Sequence, residues 1–362
     1  MKPNLQNPHH IAAKRLNKSF CGGSGGSFFK KRPLAAGGIG SHQDKKSKPI
    51  IYAGIISLII YLLWFFLSPH RMLPFSAEMI KATRIMERAV LVIGEYCDTS
   101  GIRIDSALDP NHTGLIGPGY SDIVTTKGNL EAKRTTTNPE MAGLIVYLLK
   151  RAGVKKGDTI TIGSSASFPA LMIASLSAAK ALEVKPVLIF SLGASSYGAT
   201  NPDFNLLDMF SLLRERGIFP FKTAAVSLGG EGDIGKEFSP EIKKQLIDQI
   251  RQTSIPFIYE PNFHKNVLTR MRIYRENAPE GKISAFINSG GGDANIGLSN
   301  LVLKVKPGLN IKLSLPPEDE RGVLFEMASQ DVPCIHLLFI KGLVQKYGLP
   351  WDPVAASTSN DE

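Results

Sequence analysis

The chain has 362 residues, 43% of them apolar and 20% charged, proportions that exclude a disordered polymer and leave room for one large or two modest cored domains. Its net charge of +10 invites a nucleic-acid reading until that charge is located. Residues 1–48 hold ten of the 42 basic groups and a single acid, Asp44, which leaves 32 basic and 31 acidic groups for the rest of the chain. The folded part is therefore nearly neutral, and no nucleic-acid partner is expected.

Residues 1–48 also carry Gly22 to Ser27 and Gly37-Gly38 among the basic side chains, a composition that cannot bury a core and predicts a flexible tail. Ile50 to Leu67 follows, 18 uncharged residues that would span about 27 Å as a helix. The run lacks an amphipathic face and has Tyr61 and Trp64 near one end, so residues 49–69 are expected to form a transmembrane helix. The positive-inside rule then leaves the tail in the cytoplasm and residues 70–355 outside it, as the domain of a single-pass protein of the plasma (inner) membrane. Residues 356–362 are expected to be a disordered C-terminal tail. An extracytoplasmic domain has little access to ATP or NAD(P)H, and no cofactor is expected. Cys21, Cys97 and Cys334 are scattered without metal-ligand spacing, so no metal site is expected and the thiols read as unlinked.

Ser76 and Glu78 open a helix whose apolar residues recur at the helical period up to Tyr96. Gly114 to Asn138 reads as a long polar connection, ending in Asn138-Pro139-Glu140, a cap, a proline and an acid that launch a helix to about Ala152. Glu131, Lys133, Arg134, Thr135, Thr136 and Thr137 are thereby expected just before a helix N-terminus, a placement that favours an anion. A solvated charge cluster is the plainer reading of Glu131, Lys133 and Arg134.

Thr159 to Pro202 reads as a strand, a serine-rich turn, a helix and a second strand ending in another serine-rich turn. Pro186 to Phe190 is apolar throughout, as in a parallel sheet covered on both faces. Strands then recur at Thr223 to Leu228, Pro256 to Tyr259, Ile283 to Ile287 and Pro333 to Leu338, with helices between them at about 206–216, 240–252 and 264–276 and a short one reaching Tyr347. The expected fold is α/β, a mostly parallel Rossmann-like sheet with helices on both faces, preceded by the transmembrane helix.

Gly163-Ser164-Ser165-Ala166-Ser167 nearly matches G-x-S-x-G, the turn that exposes a nucleophilic serine, with Ser167 in place of the last glycine. A catalytic Ser165 would need His264 or His336 as base and Asp293, Asp331 or Glu260 to orient it. The alternative is that these hydroxyls cap the next helix. Gly193 to Gly198 and the 229–235 loop carry no dinucleotide fingerprint. Gly290-Gly291-Gly292 after Asn288-Ser289 lets a backbone approach an anion closely, or simply makes a turn. Strand ends of one sheet face one side, so Ser164, Ser165, Ser167, Ser195, Ser196, Asn288, Ser289, Gly290 and Gly291, with the 131–138 segment, would share one polar pocket for an anionic or amide-bearing ligand.

The blocks GLIGPGYSDIVTTKGNLEAKRTTTNPEMAGLIV, GSSASFPAL, SLGASSYGATNPDF, AFINSGGGDANIG and IHLLFIKGLVQKYGLPWDP together resemble the poly-gamma-glutamate system protein family, over roughly residues 76–355. The resemblance implies a membrane-anchored protein of the bacterial cell envelope, working beside poly-gamma-glutamate synthase subunits in capsule biosynthesis or export. It implies no particular reaction. Three roles follow: an accessory protein that binds a gamma-glutamyl or anionic polymer ligand, a serine-dependent hydrolase or amidase-like transferase using Ser165, or a non-catalytic scaffold of the synthase complex.

Overall fold

A computed structural model describes residues 48–67 and 75–354, so the expected tails at 1–48 and 356–362 lie outside the described residues, apart from Lys48, which begins the first helix. Helix α1, Lys48–Leu67, is 20 residues long, and its apolar side chains from Ile50 to Leu63 are largely exposed. The side chains of residues 64–67 are not described. Among the described residues, no helix is long and apolar enough to cross a membrane. The unit containing α1 ends at Arg71, and the α/β domain from Met72 onward is a separate compact unit.

The domain opens with α2, Ser76–Ser100, whose N-cap is Phe75 in the left-handed region and not Ser76 as expected. Its apolar stripe, with Ala82, Met86, Ala89 and Ile93 fully buried, follows the helical period read from the sequence. The next stretch corrects the expectation of an irregular connection. Val124–Thr126 is a strand, β1, and Leu130–Thr137 is a helix, α3, capped by the Asn129 side chain accepting from Ala132 N at 2.8 Å. Three consecutive threonines disfavour a helix by intrinsic propensity. Each satisfies its hydroxyl on a carbonyl three or four residues back, Thr135 on Glu131, Thr136 on Lys133 and Thr137 on Arg134. Helix α4, Glu140–Arg151, follows; Asn138 accepts from Glu140 N at 3.0 Å, so the expected capping side chain is in use although Pro139 is the N-cap residue.

The βαβ unit is present as β2, Thr159–Ser165, α5, Pro169–Leu182, and β3, Lys185–Ser191. Helix α5 buries 13 of its 14 residues, because α2 and α4 pack on the side turned away from the sheet. A two-residue strand β4, Ala194–Ser195, pairs in parallel with β1, with Thr126 opposite Ser195. Then come α6, Leu206–Glu215, and β5, Thr223–Ser227, followed by α7, Pro240–Gln252, whose cap Ser239 accepts from Ile242 N, and β6, Phe257–Ile258. The chain finishes through α8, Phe263–Glu276, β7, Ala285–Asn288, α9, Asp293–Ile296, β8, Gly308–Asn310, α10, Val323–Ser329, β9, Cys334–His336, and α11, Ile340–Tyr347.

Seven strands form one sheet in the order β6-β5-β3-β2-β7-β9-β8, parallel except for β8 at the edge. The fold is α/β with a mostly parallel sheet, as the strand-helix rhythm implied. From β2 the chain winds outward through β3, β5 and β6, then returns to the other side of β2 with β7. That reversal leaves a crevice beyond the carboxyl ends of β2 and β7, where open α/β sheets take their ligands. Alternation along β3 sends Leu188 and Phe190 into one apolar cluster and Val187 and Ile189 into another, one on each face of the sheet. Fully burying a side chain such as Phe190 contributes about 1.5–3 kcal/mol. Cys97 belongs to the first cluster and Cys334 to the second, both buried and unlinked. Burial pushes their thiols up to about 11 and about 12.

Candidate functional site

A cavity of about 390 Å³ lies at the carboxyl edge of the sheet, beside the switch between β2 and β7. Each wall comes from a loop that follows a strand. The β2 turn supplies Ser165, Ser167 and Phe168; β3 and its turn supply Ser191 and Gly193; β4 supplies Ser195. The 229–235 loop brings Gly230 and Glu231, Glu237 follows, and the loop after β7 brings Gly291, Gly292 and Asp293, while Thr125, Thr126 and Lys127 close the side from β1.

Of the residues expected to share a pocket, Ser165, Ser167, Ser195 and Gly291 line this cavity. Ser165 is the most informative of them. It is 2% exposed and its hydroxyl is a buried group with no partner among the described residues. The helix-capping role is not taken up: α5 begins at Phe168 with no side-chain cap. Such a hydroxyl costs free energy unless something fills its hydrogen-bonding capacity. Gly290 packs directly over it, and a Cβ at that position would fall 2.5 Å from both Ser165 N and Ser165 Oγ. That close approach gives the glycine its role, and it sits behind the lining.

The other expected residues are placed elsewhere. Ser164, also buried with an unpartnered hydroxyl, does not line the cavity, and neither do Asn288 and Ser289. Asn288 is bonded to His336 Nδ1 at 3.0 Å, and Ser289 Oγ donates to Gly163 O at 3.4 Å. Ser196 Oγ donates to Thr126 O, and Glu131 accepts from Asn129 Nδ2 at 2.7 Å. Lys133 to Thr137 do lie just ahead of α4, which begins at Glu140, but inside α3 and not in an open connection, and both cations have partners within the fold. Arg134 is committed to Asp352, with Nε 2.7 Å from Oδ1 and the pair largely buried, and Asp352 N donates to Thr135 Oγ1 at 2.9 Å. Lys133 is turned inward, 2% exposed, donating to Ser167 O and to Ser195 Oγ at 2.7 Å with its ammonium 3.9 Å from the centre of the Phe168 ring.

Burial alone pulls Lys133 down to about 7 from its ordinary 10.5. The Phe168 face favours the charged form, but among the described residues no carboxylate pairs with this lysine, so desolvation wins. Gly128 makes the approach possible: a Cβ there would meet Ser196 O at 2.2 Å. The sequence placed Lys133 near the serines but gave no sign that its ammonium faces them.

The Ser165-histidine-acid arrangement is not assembled. Parallel pairing puts Asn288 beside Gly163 and His336 beside Asn288, so His336 is two strands, about 10 Å, from β2. It is buried, bonded to Asn288, and pulled down to about 4 by desolvation. His264 Nδ1 is buried with no partner among the described residues, Glu260 accepts from Asn262 N, and Asp293 accepts from Gly232 N at 3.0 Å. Asp331 lies in the turn before β9 with φ of 57°. None of them forms a hydrogen bond with either histidine among the described residues.

The cavity lining is of mixed character. Hydroxyls and Lys127 share it with Glu231, Glu237 and Asp293, none of which was expected among the ligand-binding groups. The acids are partly satisfied by backbone: Glu237 accepts Glu231 N through both oxygens at 2.9 and 3.0 Å, and Lys236 pairs with Glu231. Burial raises the Asp293 carboxyl above its usual range despite its bond to Gly232 N. Such walls suit a ligand with both an acidic group and an amide or amine. No protein family, characterised protein or solved structure matches the chain.

Proposed function

We propose that the chain is a membrane-anchored accessory protein of a poly-gamma-glutamate system, held by α1, whose α/β domain binds a gamma-glutamyl ligand in the strand-end cavity. The observation that carries the binding reading is the buried, unpartnered Ser165 hydroxyl on the wall of a cavity at the topological switch. A gamma-glutamyl unit carries an α-carboxylate for Lys127 and the hydroxyls, and an amide whose N–H the acidic side chains accept. The ordered sequence blocks that resemble the family support the biological setting. The exposed apolar residues of α1 and the basic residues ahead of it support the anchor.

Gly292 offers a direct test. Its φ of −67° and ψ of 142° suit any residue, and the nearest atom to an added Cβ is Ser191 Oγ at 3.8 Å, so Gly292→Leu fills the cavity without straining the fold. Calorimetric titration of the full-length protein in detergent with gamma-linked glutamate oligomers is expected to show binding that weakens at least about tenfold in Gly292→Leu at unchanged Tm. Equal affinity in the variant, or equal affinity for alpha-linked oligomers, would sink the assignment. For the anchor, a periplasm-active reporter fused after residue 362 is expected to be active in a bacterial host. A reporter active only in the cytosolic format would place the domain on the other side.

A further inference from the structure

Ser195 stands apart from the other serines of the cavity because a lysine nitrogen lies directly behind it. Its side chain is half-buried on the cavity wall, and its hydroxyl is 2.7 Å from Lys133 Nζ. Ser195 is held from three directions: β4 pairs with β1, Ser195 N donates to Ser167 Oγ at 2.9 Å, and Gly198 N donates to Ser195 O at 3.1 Å. Lys133 reaches the site from α3 under the Phe168 ring and is screened from solvent. A neutral lysine amine has two N–H donors and one lone pair. Its partners here, the Ser167 carbonyl and the Ser195 hydroxyl, can be satisfied by one donation and one acceptance.

We propose that Ser195 is a nucleophile and Lys133 its general base, making the cavity a site of acyl transfer on an amide or ester ligand. In the forward step the Ser195 Oγ–H proton passes to Lys133 Nζ as the Oγ–C bond forms at the ligand carbonyl. The C–N or C–O bond of the leaving group then breaks, and the proton moves from Lys133 to the departing amine or alcohol. Water, or the amine of a second ligand, attacks the Ser195 ester in the reverse sense and frees the serine. The 390 Å³ cavity holds the acyl donor, and Ser165, Ser191, Gly291 and Gly292 line it together with Ser195. The burial that holds Lys133 near neutrality makes it a competent base at physiological pH.

The inference rests on the cavity being a ligand site and not on the ligand being gamma-glutamyl. Its test accordingly uses a probe without acyl specificity, a fluorophosphonate that marks an activated serine whatever it naturally acylates. Here the Oγ–P bond forms, the P–F bond breaks, fluoride leaves, and the proton taken by Lys133 passes to solvent. With the full-length protein in detergent, intact mass and peptide mapping are expected to place the label on Ser195. Ser195→Ala should abolish it, and Lys133→Met should slow it about 100-fold while the protein stays folded by circular dichroism.

The labelling rate is expected to rise with pH through about 7. The charged groups that face Lys133 or share its surroundings are Glu131 and Arg134 on α3, with Lys127, Glu231, Glu237 and Asp293 around the cavity. No labelling, labelling on another residue, or a Lys133→Met rate equal to wild type would overturn the dyad. Retained oligomer binding alongside any of these results would leave the binding reading standing by itself.

Discussion

Replacing Asp233 with alanine is expected to cost the α/β domain about 3–5 kcal/mol, because it strands a buried guanidinium. Asp233 lies in the loop after β5 and is 3% exposed; Arg270, on α8, is 1% exposed and lies against it at 2.5 Å. Around the pair, Ser227 Oγ donates to Asp233 Oδ1 at 2.8 Å, Asn266 Nδ2 donates to Oδ2 at 3.1 Å, and Arg270 Nε donates to Asn266 Oδ1 at 3.0 Å. With the carboxylate gone, the guanidinium has only neutral partners and no route to water. Urea unfolding would read the loss. An Asp233→Ala, Arg270→Met double variant should regain most of it, since no charge then remains in the core. A single-variant loss below about 1 kcal/mol would mean that the ion pair is not the clamp it resembles. The same cluster fixes the 229–235 loop from below, while Gly230 and Glu231 face the cavity. Ligand affinity should therefore fall in the single variant even where it stays folded.

Lys133→Met is expected to stabilise the domain at neutral and acid pH. The sign follows from proton binding. The unfolded chain keeps its lysine protonated up to about 10.5, whereas the folded one releases the proton at about 7. Between those values the unfolded state binds more protons, so wild-type stability rises with pH; below 7 both forms are charged and the burial penalty is complete. Methionine fills the space of the lysine stem and has nothing to ionise. The variant should exceed wild type by roughly 2–4 kcal/mol at pH 6, with the gap closing toward pH 10. The Phe168 ring and the two hydrogen bonds favour the charged form and set the lower end of that range. Urea midpoints at pH 6, 8 and 10 would decide it, and parallel pH profiles for both proteins would show that Lys133 titrates as a solvated lysine. Gain in stability with loss of acylation would mark a residue kept for chemistry at the expense of the fold.

The main sheet was legible in the sequence because its strands are apolar runs between strong punctuation. Ser239-Pro240-Glu241 and the apolar residues from Pro186 to Phe190 leave little choice of structure, and β2, β3, β5, β6 and β7 with α5 to α8 fall within a few residues of expectation. The elements missed were those that only tertiary contacts sustain. Strands β1 and β4 have three and two residues and exist by pairing with each other, and α3 carries three threonines against its propensity. That miss propagated to the site. Placed in a loop, Lys133 and Arg134 looked like open ligands for an anion; placed on a helix, one faces the interior and the other a distant aspartate. Ser165, Ser167, Ser195 and Gly291 were found because strand ends of one sheet share an edge whatever the loops do. Glu231 and Glu237 were not, since nothing local shows that an acid on one loop lines the same cavity as a serine on another.

Cys97 and Cys334 occupy apolar clusters on opposite faces of a seven-stranded sheet. Joining them would require the sheet to open, so an oxidising surrounding and a reducing one meet the same pair of inert thiols. The domain can complete its folding without a thiol oxidase. Its stability is then independent of the redox chemistry of whichever compartment holds it.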